Sequence, residues 1–295
     1  MSSVGFVLFG GIMSIQIMIG GIRFQFDSDF EIRVEKSLTS FLCIEEETAD
    51  IKIKMSFSES EAVKPQAQML GEDLLLEYYC QNDLLLCLAK GSNGKYLSTT
   101  TYDGSFSNME CHLHFEPIGP MKSLGNLMRF LPMCDILQHK NVIFFHASQI
   151  EVNGKGILFT APSGTGKTTQ AKLWRMYRGA QIVCNDRTLV CGGRAYGYPV
   201  DGSEPIRSGE IFPLGAVVLL EQGTENQIRR LNPREAVLKL FPQLVIAMWN
   251  SEARILALDQ LIQLTENCPV YLLKCTPQEA AVQCLEKQLI ADGVI

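Results

Sequence analysis

The chain has 295 residues, of which 46% are hydrophobic and 20% charged. This composition excludes disorder, collagen and a helical array, and at about 150 residues per domain it predicts two domains. Net charge is −6: residues 1–140 hold 11 basic and 18 acidic residues, the remainder 15 and 14. Neither half has the basic excess that sequence-independent nucleic-acid binding needs, so no nucleic-acid partner is expected.

In chain order, Val4 to Ile22 is uncharged and, at about 19 residues, long enough for a membrane helix. Gly5, Gly10, Gly11, Gly20 and Gly21 interrupt it, and no Lys or Arg precedes it as a secretory signal requires. After Met13, Ile15, Ile17 and Ile19 alternate with polar or flexible residues, then Ile22, Phe24 and Phe26 with Arg23 and Gln25, which is strand periodicity. We expect Met13 to be the true start and residues 1–12 an extension without structural role, or else a soluble strand, in preference to a membrane anchor, and the protein to be cytoplasmic.

Residues 13–118 form an expected β-rich amino-terminal domain. Ile51, Ile53, Met55 and Phe57 alternate with Lys52, Lys54 and Ser56; Leu84–Ala89 is a second apolar run. Asn93-Gly94 and Asp103-Gly104 have the composition of tight hairpin turns. His112 and His114 share a strand face, where a metal pair lacks a third ligand and a solvated face is the simpler expectation. Residues 119–141 switch to helical spacing through Leu124, Leu127, Met128, Leu131, Ile136 and Leu137, with Pro132 kinking or dividing the run, and form the expected domain junction.

Residues 142–295 alternate in the α/β manner. Asn232 and Pro233 predict a capped helix start, Ser251 opens a helix with Ile255, Leu258 and Ile262 on one stripe, and Pro269–Cys275 is a short strand. Thr276-Pro277-Gln278-Glu279 reads as a capping box opening a last helix to about Leu289. The ten cysteines contain no CxxC pair, and a core this large needs no staples, so reduced thiols are expected.

The segment richest in chemistry is Gly156 to Thr169. An apolar strand enters Ala161-Pro162-Ser163-Gly164-Thr165-Gly166-Lys167-Thr168-Thr169, and a helix with Ala171, Trp174 and Tyr177 follows. This is the context of a phosphate-binding loop. Glycines let successive N–H groups turn toward phosphate oxygens, the helix dipole adds to them, Lys167 supplies a charge and Thr168 can ligate Mg2+. The loop's first position is alanine, acceptable if Ala161 stays extended.

Upstream, Phe144 to Val152 reads as a strand, and Asn153-Gly154 as a two-residue hairpin turn into the loop's own strand. Pairing Val152 with Lys155 sets His146 opposite Ala161, at the mouth of the loop. Ordinary phosphate-loop nucleotidases reach that strand by parallel pairing, so the hairpin is distinctive. Gln181 to Cys184 is a short apolar strand leading to Asn185-Asp186-Arg187, which supplies a carboxylate for metal or for activating a nucleophile. Arg207 and Glu210 lie between two expected strands and are weaker site residues, as is Arg187.

On His146-Ala-Ser, the Asn-Gly hairpin, the loop and the Asp-Arg pair, residues from about 125 to 295 resemble the catalytic domain of HPr kinase/phosphorylase. They look closer still to the HPr-kinase-like proteins of peptide natural-product clusters. The resemblance implies an α/β (overall α+β) fold with a P-loop kinase core of the HPr kinase/phosphoenolpyruvate carboxykinase type. It also implies catalytic roles for His146, Asp186 and Lys167, with Asp186 as base and Lys167 and Thr168 holding ATP and Mg2+. Two features depart from the family: Asn185 replaces the first of two adjacent acids, and no counterpart of the HPr-engaging carboxy-terminal loop is seen. HPr itself is therefore not the expected acceptor. The expected activity is phosphoryl transfer to a hydroxyl, serine above all, of a peptide or protein substrate. A nucleotide-binding regulator without transferase activity and a small-molecule kinase are the alternatives, and a homo-oligomer is left open.

Overall fold

Alternating apolar residues give strands such as Ile22–Ser28 and Ile51–Phe57 one buried face, and nine strands among the described residues join into one sheet. A computed structural model describes residues 7–9, 12–45, 47–73, 75–200 and 208–295. It is a mixed α/β structure with large sheets. The chain divides into two compact units, Met1–Ile136 with Ala247–Ser251, and Leu137–Ile246 with Glu252–Ile295.

In the first unit the strands are β1 (Val7–Phe9), β2 (Ile12–Ile19), β3 (Ile22–Ser28), β4 (Ile51–Phe57), β5 (Gln68–Glu72), β6 (Leu76–Gln81), β7 (Leu84–Lys90), β8 (Tyr96–Tyr102) and β9 (Asn108–Leu113). Their order across the sheet is β1-β2-β3-β4-β9-β8-β7-β6-β5. Ile17, Ile19, Phe24, Phe26, Ile51 and Ile53 are fully buried on its inner face. The uncharged amino-terminal stretch is thus strand from Ile12 on. Val7–Phe9 pair with β2, so the expectation of an extension without structural role fails for these residues. Among the described residues no helix is long and apolar enough to cross a membrane.

Asn93-Gly94 and Asp103-Gly104 do sit between strands, but in longer connections than a tight turn. Each side chain accepts a hydrogen bond from a backbone N–H two residues on, Lys95 and Ser105, which stabilises a wider loop. The two-residue turns with both residues at positive φ are Gly20-Gly21, Asn82-Asp83, Asn153-Gly154 and Gly192-Gly193. The His112 ring is held between the Ser56 and Ser58 hydroxyls at 2.9 and 2.8 Å, and His114 meets Thr99 at 2.9 Å. Hydroxyls therefore meet both ring nitrogens of His112 and Nε2 of His114. After the sheet, α1 (Leu124–Leu127) and α2 (Met133–His139) lie on either side of Pro132, which divides the run and does not merely kink it.

The second unit contains β10 (Ile143–Val152), β11 (Lys155–Thr160), α3 (Lys167–Arg178), β12 (Gln181–Cys184), β13 (Arg187–Cys191), β14 (Arg194–Gly197), β15 (Ile211–Gln222), β16 (Gln227–Arg230), α4 (Pro233–Leu240), α5 (Ser251–Asn267), β17 (Val270–Cys275) and α6 (Glu279–Ala291). Strands β11, β10, β13, β14 and β15 pair in turn, and β15 pairs back with β11, so these strands form a closed circuit. Strand β17 extends β15 in parallel and β16 lies outermost, antiparallel. One face buries Ile157, Phe159, Val218 and Leu220 against Ala171 and Trp174 of α3 and Val282 and Leu285 of α6. The other buries Phe145, Leu158, Val217 and Leu219 with residues of α4 and α5.

Asn232 caps α4 by accepting from the Glu235 N–H at 3.0 Å, with Pro233 at the first position. The expected capping box at Thr276 is not formed. Helix α6 begins at Glu279 with Gln278 as its cap, because Asn226 takes the Thr276 N–H and anchors the end of β17 instead. None of the ten cysteines, all of them described, is joined in a disulfide.

Candidate functional site

The site begins with the β10–β11 hairpin. Its register runs from Val152↔Lys155 to Ala147↔Thr160, the pairing that the Asn153-Gly154 turn dictates. The ladder stops one pair short of His146 and Ala161, and there the Thr160 hydroxyl donates to the His146 carbonyl at 2.9 Å. Beyond this point β11 leaves one edge of β10, while the other edge, paired first with β12, continues in the same register onto β13, where His146 faces Arg187. His146 thus sits where the β10–β11 ladder ends, beside the start of the glycine-rich loop.

The loop itself is shaped by Gly164 and Gly166, at φ 79° and 118°, angles that strain any residue with a Cβ. Ala161 is absent from the positive-φ residues and its methyl is fully buried, so alanine is tolerated at the first position because no left-handed turn is needed there. Gly166 precedes α3 without a side-chain cap. The first-turn N–H groups consequently face the loop with the positive end of the helix dipole, an arrangement suited to an anion. Lys167 donates to the Ala161 carbonyl at 2.8 Å and lies more weakly, at 3.4 Å, against that of Pro162. Burial pushes its ammonium pKa down, and the Asp186 charge opposes that shift. Ser163 and Thr169 are exposed, and Thr165 and Thr168 half-buried.

Asp186 reaches the same place at the end of the short strand β12. Strand β12 is not a parallel strand of an open sheet; it runs antiparallel to β10, and Asn185-Asp186 is the short link from β12 to β13. Two bonds from β10 fix that link: the Ala147 N–H donates to the Asp186 carbonyl at 3.1 Å, and the Ser148 hydroxyl to that of Asn185 at 2.6 Å. The Asp186 side chain then lies 3.1 Å from His146 Nε2 through Oδ1, and 3.5 Å from Arg187 Nε through Oδ2. Donation from His146 holds the carboxyl below the usual aspartate value against the opposing effect of burial, and Arg187 adds to the lowering. The Arg187 guanidinium also lies 5.6 Å from the Phe144 ring centre, in cation–π range.

His146, Asp186, Arg187 and Lys167 are therefore brought together. Glu210 is held elsewhere: its carboxylate accepts from Gln181, at the far end of β12 from Asp186, and from the Ser208 hydroxyl at 2.9 Å. Arg207 lies outside the described residues. One loop contact was invisible in the sequence. Gln222, at the end of β15, reaches the Gly164 carbonyl at 3.4 Å, because β15 runs parallel beside β11. No local pattern marks that residue; only the long-range strand pairing does.

Chemically, the arrangement offers an anion cradle at a helix N-terminus, a cation able to move onto that anion, and a carboxylate oriented by a histidine within reach of both. No curated protein matches the chain. A family model described as SynChlorMet cassette protein ScmC matches residues 121–289, more than half of the chain and including this whole site, and the chain belongs to that family.

Proposed function

We propose that the protein is an ATP-dependent kinase that transfers the γ-phosphoryl group to a hydroxyl of a peptide or protein, serine being the favoured acceptor. The observation that carries this proposal is the His146–Asp186 contact beside the Lys167 loop. The hairpin that feeds the loop and the β12–β13 link that carries Asp186 support, within the same proposal, a P-loop kinase core of the HPr kinase-like type.

In this mechanism the N–H groups at Gly164 to Thr168 bind the β- and γ-phosphates. Lys167 leaves the Ala161 carbonyl and neutralises charge on the oxygens in transfer. Asp186 accepts the proton of the acceptor hydroxyl, while His146 orients the carboxylate. The new bond joins the hydroxyl oxygen to the γ-phosphorus, the bond to the β–γ bridging oxygen breaks, and ADP leaves with that electron pair. For Mg2+, the residues present are the Thr168 hydroxyl and the Asp186 carboxylate. That sparse set fits an ion that takes its remaining ligands from phosphates and water. When bound, Mg2+ supplies charge neutralisation across the β- and γ-oxygens. The β-rich first unit is proposed to recognise the acceptor.

Asp186→Asn tests the base assignment. We expect nucleotide binding measured without Mg2+ to stay within about twofold while phosphoryl transfer falls about a thousandfold. Equal loss of binding and turnover would remove Asp186 from that role. Asn185, where a second acid would strengthen metal binding, favours a second reading as a nucleotide-binding regulator. Incubation with labelled ATP and serine-containing peptides separates the two, since a regulator releases no ADP on addition of any acceptor.

A further inference from the structure

Helix α5 buries Ala253, Ala257, Leu261 and Leu264. The stripe of larger apolar residues foreseen in its sequence faces the other way: Ile255 is 63% exposed, Leu258 40% and Ile262 41%. Their i, i+3, i+7 spacing is that of the a and d positions of a two-stranded coiled coil, so the helix carries a second, unfilled seam opposite its core face. Glu252, Asp259 and Glu266 follow at seven-residue intervals and are all exposed. At 3.6 residues per turn they form a row directly beside the seam. On the far side of that row, Leu256, Asp259, Gln260 and Gln263 line a groove of about 740 Å3 closed by Cys191 and Gly192. The order around the helix is therefore apolar seam, acidic row, groove.

We propose that this face of α5 is a docking surface for a basic amphipathic helix of a partner protein. The seam takes the partner's apolar a and d side chains, and the acidic row takes lysines or arginines from the flanking e or g positions. Charge decides among occupants. The exposed face carries three acids and, within α5, one base, Arg254. A second copy of this chain would set one net-negative face against another, and an anionic membrane would meet the same repulsion; a basic helix is attracted. The inference is independent of the kinase proposal, because α5 packs on the face of the sheet opposite to α3 and the loop.

The test uses the full chain and two labelled synthetic helical peptides that are identical in leucine at a and d but carry lysine or glutamate at e and g. In fluorescence anisotropy the lysine peptide should bind at least about tenfold more tightly than its glutamate twin. The double substitution Asp259→Lys, Glu266→Lys should reverse that preference. Ile255→Ser with Ile262→Ser should weaken the lysine peptide about tenfold while the thermal melt stays unchanged, as expected for exposed positions. Absence of binding, equal binding of the two peptides, or indifference to the isoleucine substitutions would overturn the proposal. So would a concentration-dependent dimer in sedimentation that Ile262→Ser abolishes, because the face would then belong to a second copy.

Discussion

Two carboxylates, one in each unit, show how differently the same group can be used. Glu77 on β6 is 3% exposed and accepts from the Tyr79 and Tyr96 hydroxyls at 2.6 Å each, with the Lys90 ammonium on its other oxygen. Burial opposes its ionisation, yet these three donors outweigh it and bring the carboxyl down to about 2. Asp186 is about one-third exposed, with one histidine at 3.1 Å and Arg187 at the longer distance of 3.5 Å. Its value is lowered by the same kind of donation, with fewer partners. A carboxylate with its lone pairs filled serves the fold and has nothing left to offer a ligand. One with unfilled lone pairs at the rim of an anion cradle can accept a proton or a metal.

The contrast can be broken most sharply by activity. Lys167→Ala should abolish tight nucleotide binding and reduce phosphoryl transfer about a thousandfold in a labelled-ATP assay, whereas Glu77→Gln in a still-folded sample should leave the activity per folded molecule nearly unchanged. Stability should show the reverse order. Glu77→Gln should cost about 2 kcal/mol in urea unfolding, because the Lys90 and tyrosine donors lose a charged acceptor in a buried setting. Acid sharpens the same comparison. The folded value of Glu77 is depressed, so its contribution is complete above the ordinary glutamate value of 4.5 and is lost as pH falls through about 2. Urea midpoints taken at successive pH values should therefore drop in this window for the parent chain and stay flat, apart from other acids, in Glu77→Gln. The Asp186 contribution has the same sign, present above the ordinary aspartate value of 3.8 and lost below it, but it is weakened by solvent. The smallest effect should follow from that: Asp186→Asn should change stability by no more than about 0.5 kcal/mol at neutral pH, measured by the same unfolding curves.

Much of the site could be read from local pattern. The glycine-rich loop, Lys167 and the hairpin register through Asn153-Gly154 all depend on residues adjacent in sequence, and turn geometry alone carries the register to within one pair of His146. Asp186 was legible as an acid after a short strand, but its route was not, since pairing β12 with β10 joins segments some 30 residues apart. Gln222 gave no signal for the same reason. The exposed stripe on α5 shows the limit of periodicity. Its helical spacing was plain, yet which of two apolar stripes faces the core depends on what packs against it, and here Leu261 and Leu264 join the core of the sheet while Ala253 and Ala257 are buried on the same helix.

By itself the sequence determined the short-range geometry: where strands turn, where glycines free the backbone, and which side of a strand a residue occupies, because neighbouring dihedrals and side-chain alternation set these. Only the tertiary structure decided that β10 would pair with β12 and β13 along the edge away from β11, that the antiparallel β12 would bring Asp186 to the His146 ring, and that α5 would turn its isoleucines outward. Those outcomes rest on pairing and packing between distant segments, where many registers satisfy the local pattern and the burial of one shared core selects among them.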